Sequence, residues 1–123
     1  MMTDINGSAF LESTAVIVSS TRDGLSKLAR AVCDTGSVSF AYDGASERDL
    51  LHGVDIDEGR GKLVVYLRND RLLILGPKKH RDLFAQNFEH LLDQETVPSA
   101  HIENHDGHFY LSEDSLSVII QKI

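Results

Sequence analysis

Imidazole and carboxylate groups crowd one short stretch of the chain, where His101, Glu103, His105 and His108 fall within eight residues. On a strand, His101 and Glu103 would point to the same side. Zinc is the metal such groups suit, but it needs three or four ligands at fixed distances, held in place by hydrogen-bonded supporting groups. No Cys accompanies the set and no helical His-Glu-x-x-His pair occurs, so the histidines read as structural or interface groups, with no metal and no cofactor expected. The single cysteine, Cys33, falls toward the apolar side of a predicted helix and reads as an inert buried thiol. Ser8, Ser13, Ser19 and Ser20 lack the strand-turn-helix setting of a nucleophile. The chemistry expected is therefore binding, not turnover.

Charge gives two candidate surfaces. Asp43, Glu47, Asp49, Asp55, Asp57 and Glu58 form the densest region of one sign, broken by Arg48 alone. Strand alternation would set Asp55 and Asp57 on one outward face, a rigid array suited to electrostatic docking. Lys78, Lys79, His80 and Arg81 crowd the first turn of another predicted helix, where cations oppose the macrodipole unless an anion sits among the free amides. A small-molecule regulatory domain that binds an anion through Lys78, Lys79 and Arg81 is thus the alternative function, although the glycine spacing of a phosphate loop is missing. Twelve Lys and Arg face nineteen Asp and Glu, a net charge of -7. That balance repels nucleic acid and anionic membranes and favours a basic protein partner.

These groups need a scaffold. With 123 residues and 41% hydrophobic content, the chain reads as one domain over residues 1–123, with residues 1–12 as a loosely ordered lead-in. A lone cysteine, no spanning apolar run and no apolar leader point to a cytoplasmic protein. The β-branched run Thr14–Ser19 predicts a strand, and Ser20-Thr21 a hydroxyl cap for a helix over 22–34 whose closing left-handed residue is Gly36. Val38, Phe40 and Tyr42 alternate as a strand, as do Val54 and Ile56. Lys62–Arg68 and Arg71–Leu75 predict a hairpin around Asn69-Asp70, in a type I′ turn with Arg68 opposite Arg71. Its core face is Leu63, Val65, Leu67, Leu72 and Ile74, which leaves Val64, Tyr66, Leu73 and Leu75 on an underprotected second face with Tyr66 as a candidate anchor. A second helix spans about 77–93, and Val97–Asn104 and Leu116–Lys122 are the last strands, joined through a turn at Asp106-Gly107. The halves echo each other weakly. The expected class is α+β: two strand-helix-strand units on one mixed or antiparallel sheet of about six to seven strands, with both helices on one face.

The run Arg71-Leu-Leu-Ile-Leu-Gly-Pro, the helix ending Asn87-Phe-Glu-His-Leu-Leu92, and His101-Ile-Glu-Asn-His-Asp-Gly-His-Phe-Tyr-Leu-Ser-Glu-Asp-Ser115 before an apolar strand resemble the immunity protein 32 family of bacterial polymorphic toxin systems. His101, Glu103, Gly107, His108, Tyr110, Leu111 and Ser115 match the family pattern, while Phe109 stands in place of proline and Asn104 in place of an aromatic residue. His108 and Tyr110 would tie the loop before the last strand to the helix or sheet. The resemblance implies a protein that binds and neutralises a cognate toxin C-terminal domain and performs no catalysis; a monomer or weak homodimer is expected. Asp43, Glu47, Asp49, Asp55, Asp57, Glu58 and Tyr66 are then the expected contact residues.

Overall fold

A computed structural model of the chain describes residues 2–41, 51–96 and 98–123. Its elements run β1 (Met2–Glu12), β2 (Ala15–Ser20), α1 (Arg22–Asp34), β3 (Gly36–Ala41), β4 (Gly53–Asp57), β5 (Val64–Arg68), β6 (Arg71–Leu75), α2 (Lys78–Asp93), β7 (Ser99–Ile102) and β8 (Ser117–Lys122). The class is α+β, and the sheet is mixed, as expected, but it has eight strands in the order β5-β6-β4-β3-β1-β2-β8-β7. Among the described residues no helix is long and apolar enough to cross a membrane.

The strand missing from the sequence reading is β1. Residues 2–12 are not a loose lead-in but the central strand: Met2–Asn6 pairs parallel with β3, and Gly7–Glu12 pairs antiparallel with β2. Its inward side holds Ile5 and Ala9, exposed by 2% and 0%. At Gly7 a Cβ would lie 2.4 Å from the Ser19 carbonyl oxygen, so the pairing with β2 requires glycine there.

With β1 in place, the echo between the halves extends beyond strand-helix-strand to hairpin-helix-hairpin. β1–β2, α1 and β3–β4 are followed by β5–β6, α2 and β7–β8, each of the four strand pairs being antiparallel. Both opening hairpins turn through two residues with positive φ at the first, 58° at Ser13 and 57° at Asn69. The Arg68↔Arg71 register is as expected, but Asn69 takes positive φ without Asp70, so the turn is not type I′. The inward residues of both halves and the buried sides of both helices join one core, in which the helices seal Phe84, Leu25, Leu28 and Leu91 from water and the strands and strap Leu63, Leu72 and Leu111. Both helices therefore lie on the inner face.

The helices run antiparallel and cap each other. The Thr21 hydroxyl accepts from the Gly24 amide at the start of α1, whose end is set by Thr35 at φ 67°, not by Gly36, although Gly36 follows at φ 139°. The last turn of α1 has no basic residue of its own. Arg81 of α2 supplies one: its guanidinium, 3% exposed, donates to the Val32 and Cys33 carbonyls at 2.9 and 2.6 Å, to the Gly76 carbonyl at 3.0 Å and to Glu58 at 2.6 Å. In return Arg22 of α1 donates to the Leu92 carbonyl of α2 at 2.8 Å, and Lys122 Nζ donates to the Leu91 and Gln94 carbonyls. Carbonyls without intrahelical partners and the negative end of each dipole are thus met by cations from elsewhere in the fold.

Removing the Arg81 head group leaves buried carbonyls without donors. Arg81→Ala is expected to lower unfolding free energy by about 3–5 kcal/mol in urea titration. Glu58→Gln, altering a carboxylate side chain that is 62% exposed, should cost under about 1 kcal/mol.

Candidate partner-binding surface

Of the acidic residues singled out in the sequence, Asp43, Glu47 and Asp49 lie outside the described residues, as does Tyr42. Asp55 does alternate away from the core on β4, but it is not a free carboxylate. It accepts from Arg71 Nε at 3.0 and 3.1 Å and from the Ser37 hydroxyl at 2.8 Å, with Arg68 at 3.9 Å. Asp55 and Asp57 thus share the outward side of β4 as expected, but cross-strand neighbours neutralise Asp55. Asp57 is exposed and accepts from the Glu58 amide, while Glu58 is held by Arg81 with most of its surface still in water.

The outward face of the β5–β6 hairpin is less open than its pattern suggests. Leu73 is 5% exposed, and Val64, Tyr66 and Leu75 are half-buried. The chain around Gly59 closes on Leu75, since a Cβ at Gly59 would stand 2.7 Å from Leu75 Cγ.

The basic first turn of α2 is not an anion site in the sense expected. Arg81 is buried in the helix-capping role above, Lys78 pairs with Asp82 at 3.1 Å, and His80 Nδ1 meets the Gly61 carbonyl at 3.0 Å. Lys79 is exposed. Cys33 is half-buried; burial, then a hydrogen bond to Asp82, pushes its thiol up, which keeps it protonated and unreactive. Asp82 itself is held low, first by the Lys78 hydrogen bond.

The histidine-rich segment forms a strap from the end of β7 to β8 along the edge of β5. Leu63 donates its amide to the Tyr110 carbonyl at 2.8 Å, Ser112 to the Leu63 carbonyl at 2.7 Å and Leu116 to the Val65 carbonyl at 2.8 Å. The Val65 amide donates to the buried Ser115 hydroxyl at 2.9 Å. Leu111 enters the core at 1% exposure beside Leu63. His108 Nδ1 accepts from the amides of Tyr110 and Leu111 at 3.2 and 3.0 Å, so its other nitrogen carries the proton of the neutral ring. Burial first, then the charges of His105 and Lys62, lower its pKa from 6.5. Tyr110 reaches α2, where Asn87 Nδ2 donates to its hydroxyl at 3.0 Å; burial raises the phenol against that hydrogen bond. Gly107 supplies the positive φ, 74°, that the turn requires.

Asn104, two residues past the end of β7, fastens the far part of the strap: its Nδ2 lies 3.0, 3.1 and 2.8 Å from the Ser112, Glu113 and Ser115 carbonyls. His101, Glu103 and His105 are exposed. A pocket of about 330 Å³ opens among Asn87, His101, Glu103, His105, His108 and Tyr110. Among the described residues no group of three His, Cys, Asp or Glu side chains is arranged to hold a metal ion. At the tip of the strap Phe109 is 76% exposed, an aromatic ring that no strand or helix pattern would have flagged.

Residues 71–123 match the family model Immunity protein 32, the family that the strap residues resemble. The match runs from the start of β6 through α2, β7 and the strap to the end of β8, less than half of the chain. No curated protein and no solved structure matches the chain.

Two measurements check the strap. Ser115→Ala strands the buried Val65 amide and should cost about 1–3 kcal/mol, whereas Ser112→Ala should stay within about 0.5 kcal/mol. Because the folded state holds His108 neutral, the unfolded chain binds more protons below about pH 6.5, so stability falls as pH drops through that value. Urea midpoints followed from about pH 7.5 to 5.5 should lose this slope in His108→Gln.

Proposed function

We propose that this chain is an immunity protein that binds a cognate bacterial toxin domain and silences it by occupying it, with no chemical step of its own. The observation that carries this reading is the match of residues 71–123 to Immunity protein 32. It covers the strap residues His108, Tyr110, Leu111 and Ser115 and the helix that Tyr110 reaches, while the strap's partners Leu63 and Val65 precede it. The net charge of -7 supports a basic partner, drawn in by long-range attraction that sets the rate of encounter more than the final affinity. In this reading Asp57 and Glu58, with Asp43, Glu47 and Asp49 earlier in the sequence, steer the toxin, while Asp55 serves the hairpin and Tyr66 offers a half-buried anchor. The alternative, an anion-binding regulatory domain on Lys78, Lys79 and Arg81, loses its central cation to helix capping.

The test is co-elution of the purified protein with the C-terminal toxin domain encoded by the neighbouring reading frame, followed by stopped-flow association at low and high salt. The expected result is a stable complex whose association slows as salt rises and slows several-fold in Asp57→Lys at low salt. No complex at micromolar concentration overturns the reading.

A further inference from the structure

β7 pairs with β8 alone and forms one edge of the sheet. The Lys122 amide donates to the Pro98 carbonyl at 2.8 Å, so the bonded positions of this antiparallel ladder on β7 are the even-numbered residues. The backbone groups of Ser99 and His101 consequently point to the other side, where among the described residues no backbone partner meets them. In the first half of the chain the counterpart of β7 is β3, which completes its edge by pairing parallel with β1. The matching partner for β7 would be β5, but β5 is already closed by the strap. The edge of β7 opens instead on the pocket between the strap and α2.

Natural sheets protect such edges with lysines, prolines or covering loops; within β7 there is no Lys and no Pro. An unsatisfied strand edge is best met by another extended backbone, since a helix offers it no free amides or carbonyls. The charge of that backbone's side chains is set by the surroundings. From residue 82 to residue 121 the chain has eight Asp and Glu and neither Lys nor Arg. Glu103, His105 and Tyr110 are among the residues that line the pocket, and Phe109 stands exposed next to Tyr110 in the chain.

We propose that an extended segment of the toxin, with Lys or Arg at alternate positions, adds as a strand to the open edge of β7. This rests on the immunity reading above and names the seat of the partner. Hydrogen bonds from the backbone of Ser99 and His101 fix its register, a cationic side chain enters the pocket beside Glu103, and Phe109 covers its apolar positions. Alternation follows from strand geometry, which sends every second side chain to the same face.

The experiment compares toxin-domain affinity of the wild-type protein, His101→Pro and His101→Ala by calorimetry. Proline at 101 removes an edge amide without touching the bonds to β8, and a strand edge tolerates it. Urea midpoints establish that each variant is folded. His101→Pro should weaken binding by about tenfold or more while His101→Ala stays within about threefold. Amide exchange followed by NMR should show the Ser99 and His101 protons exchanging fast in the free protein and protected in the complex. A folded His101→Pro that binds as the wild type does, or edge amides unprotected in the complex, overturns the strand-addition site and leaves the immunity reading standing. So does loss of binding in Tyr66→Ala with none in His101→Pro, which would seat the toxin on the outward face of β5. Failure of the wild-type protein to bind overturns both.

Discussion

A helix ends in carbonyls that nothing within it can satisfy, and here the two helix ends are satisfied by each other's side of the fold. Arg81 reaches from the first turn of α2 to the last carbonyls of α1, and Arg22 from the first residue of α1 to the Leu92 carbonyl of α2. The exchange works because the helices are antiparallel, so each start lies beside the other's end. It also resolves the apparent fault of a cation at a helix N-terminus: the charge of Arg81 is delivered to the negative end of α1, where it is favourable. Glu58 completes the neutralisation, and by doing so ties the chain after β4 to the helix pair. One guanidinium thus joins α1, α2 and the turn after β4, and the geometry of both halves depends on its place.

Around that helix pair the sheet is built from two copies of one plan, and the copies part at a single place. In the first, β1 lends its start to β3 and its end to β2, and the strand order continues unbroken. In the second, β5 and β7 do not meet, and the strap closes β5 instead: the Tyr110 carbonyl and Ser115 hydroxyl accept from the Leu63 and Val65 amides, and the Ser112 and Leu116 amides donate to the Leu63 and Val65 carbonyls. The strap lacks ladder regularity, so side chains make up the difference. Ser115 accepts where a strand would present a carbonyl, His108 accepts two amides that a turn would leave bare, and Asn104 gathers three carbonyls. These are polar residues in fixed geometric roles.

How much the sequence disclosed follows from what kind of force placed each element. α1 is readable to the residue because its signals are local: a hydroxyl before the first turn and apolar residues at three- and four-residue steps. The β5–β6 register is likewise local, fixed by a two-residue loop. β1 is not, since Asp4, Asn6 and Glu12 face outward and, among its described side chains, Ile5 and Ala9 reach the core; its place comes from partners on both sides. Arg81 carries a signal of its burial in its position, three residues before Phe84 and seven before Phe88 on the buried face of α2. Composition assigned it to water because it is charged, whereas its position on the helix assigned it to the core. The free edge of β7 had no sequence signature at all, because an unpaired edge is defined by the neighbour that is absent.

The same distinction governs the charge of the molecule. In the sequence the acidic density lies at residues 43–58, yet Asp55 is matched to Arg71 and Glu58 to Arg81, so part of that density balances internal cations. Asp82 is likewise matched to Lys78. The field available to a partner is set by carboxylates left over after such pairing. Past Arg81 the chain has no Lys or Arg until Lys122, and Lys122 is engaged with the end of α2. The excess of negative charge therefore extends to the strap and the C-terminal part of α2, where the sheet also leaves an edge open. Long-range attraction and a backbone able to accept another strand coincide there, and attraction brings a partner to a surface only usefully when that surface can hold it.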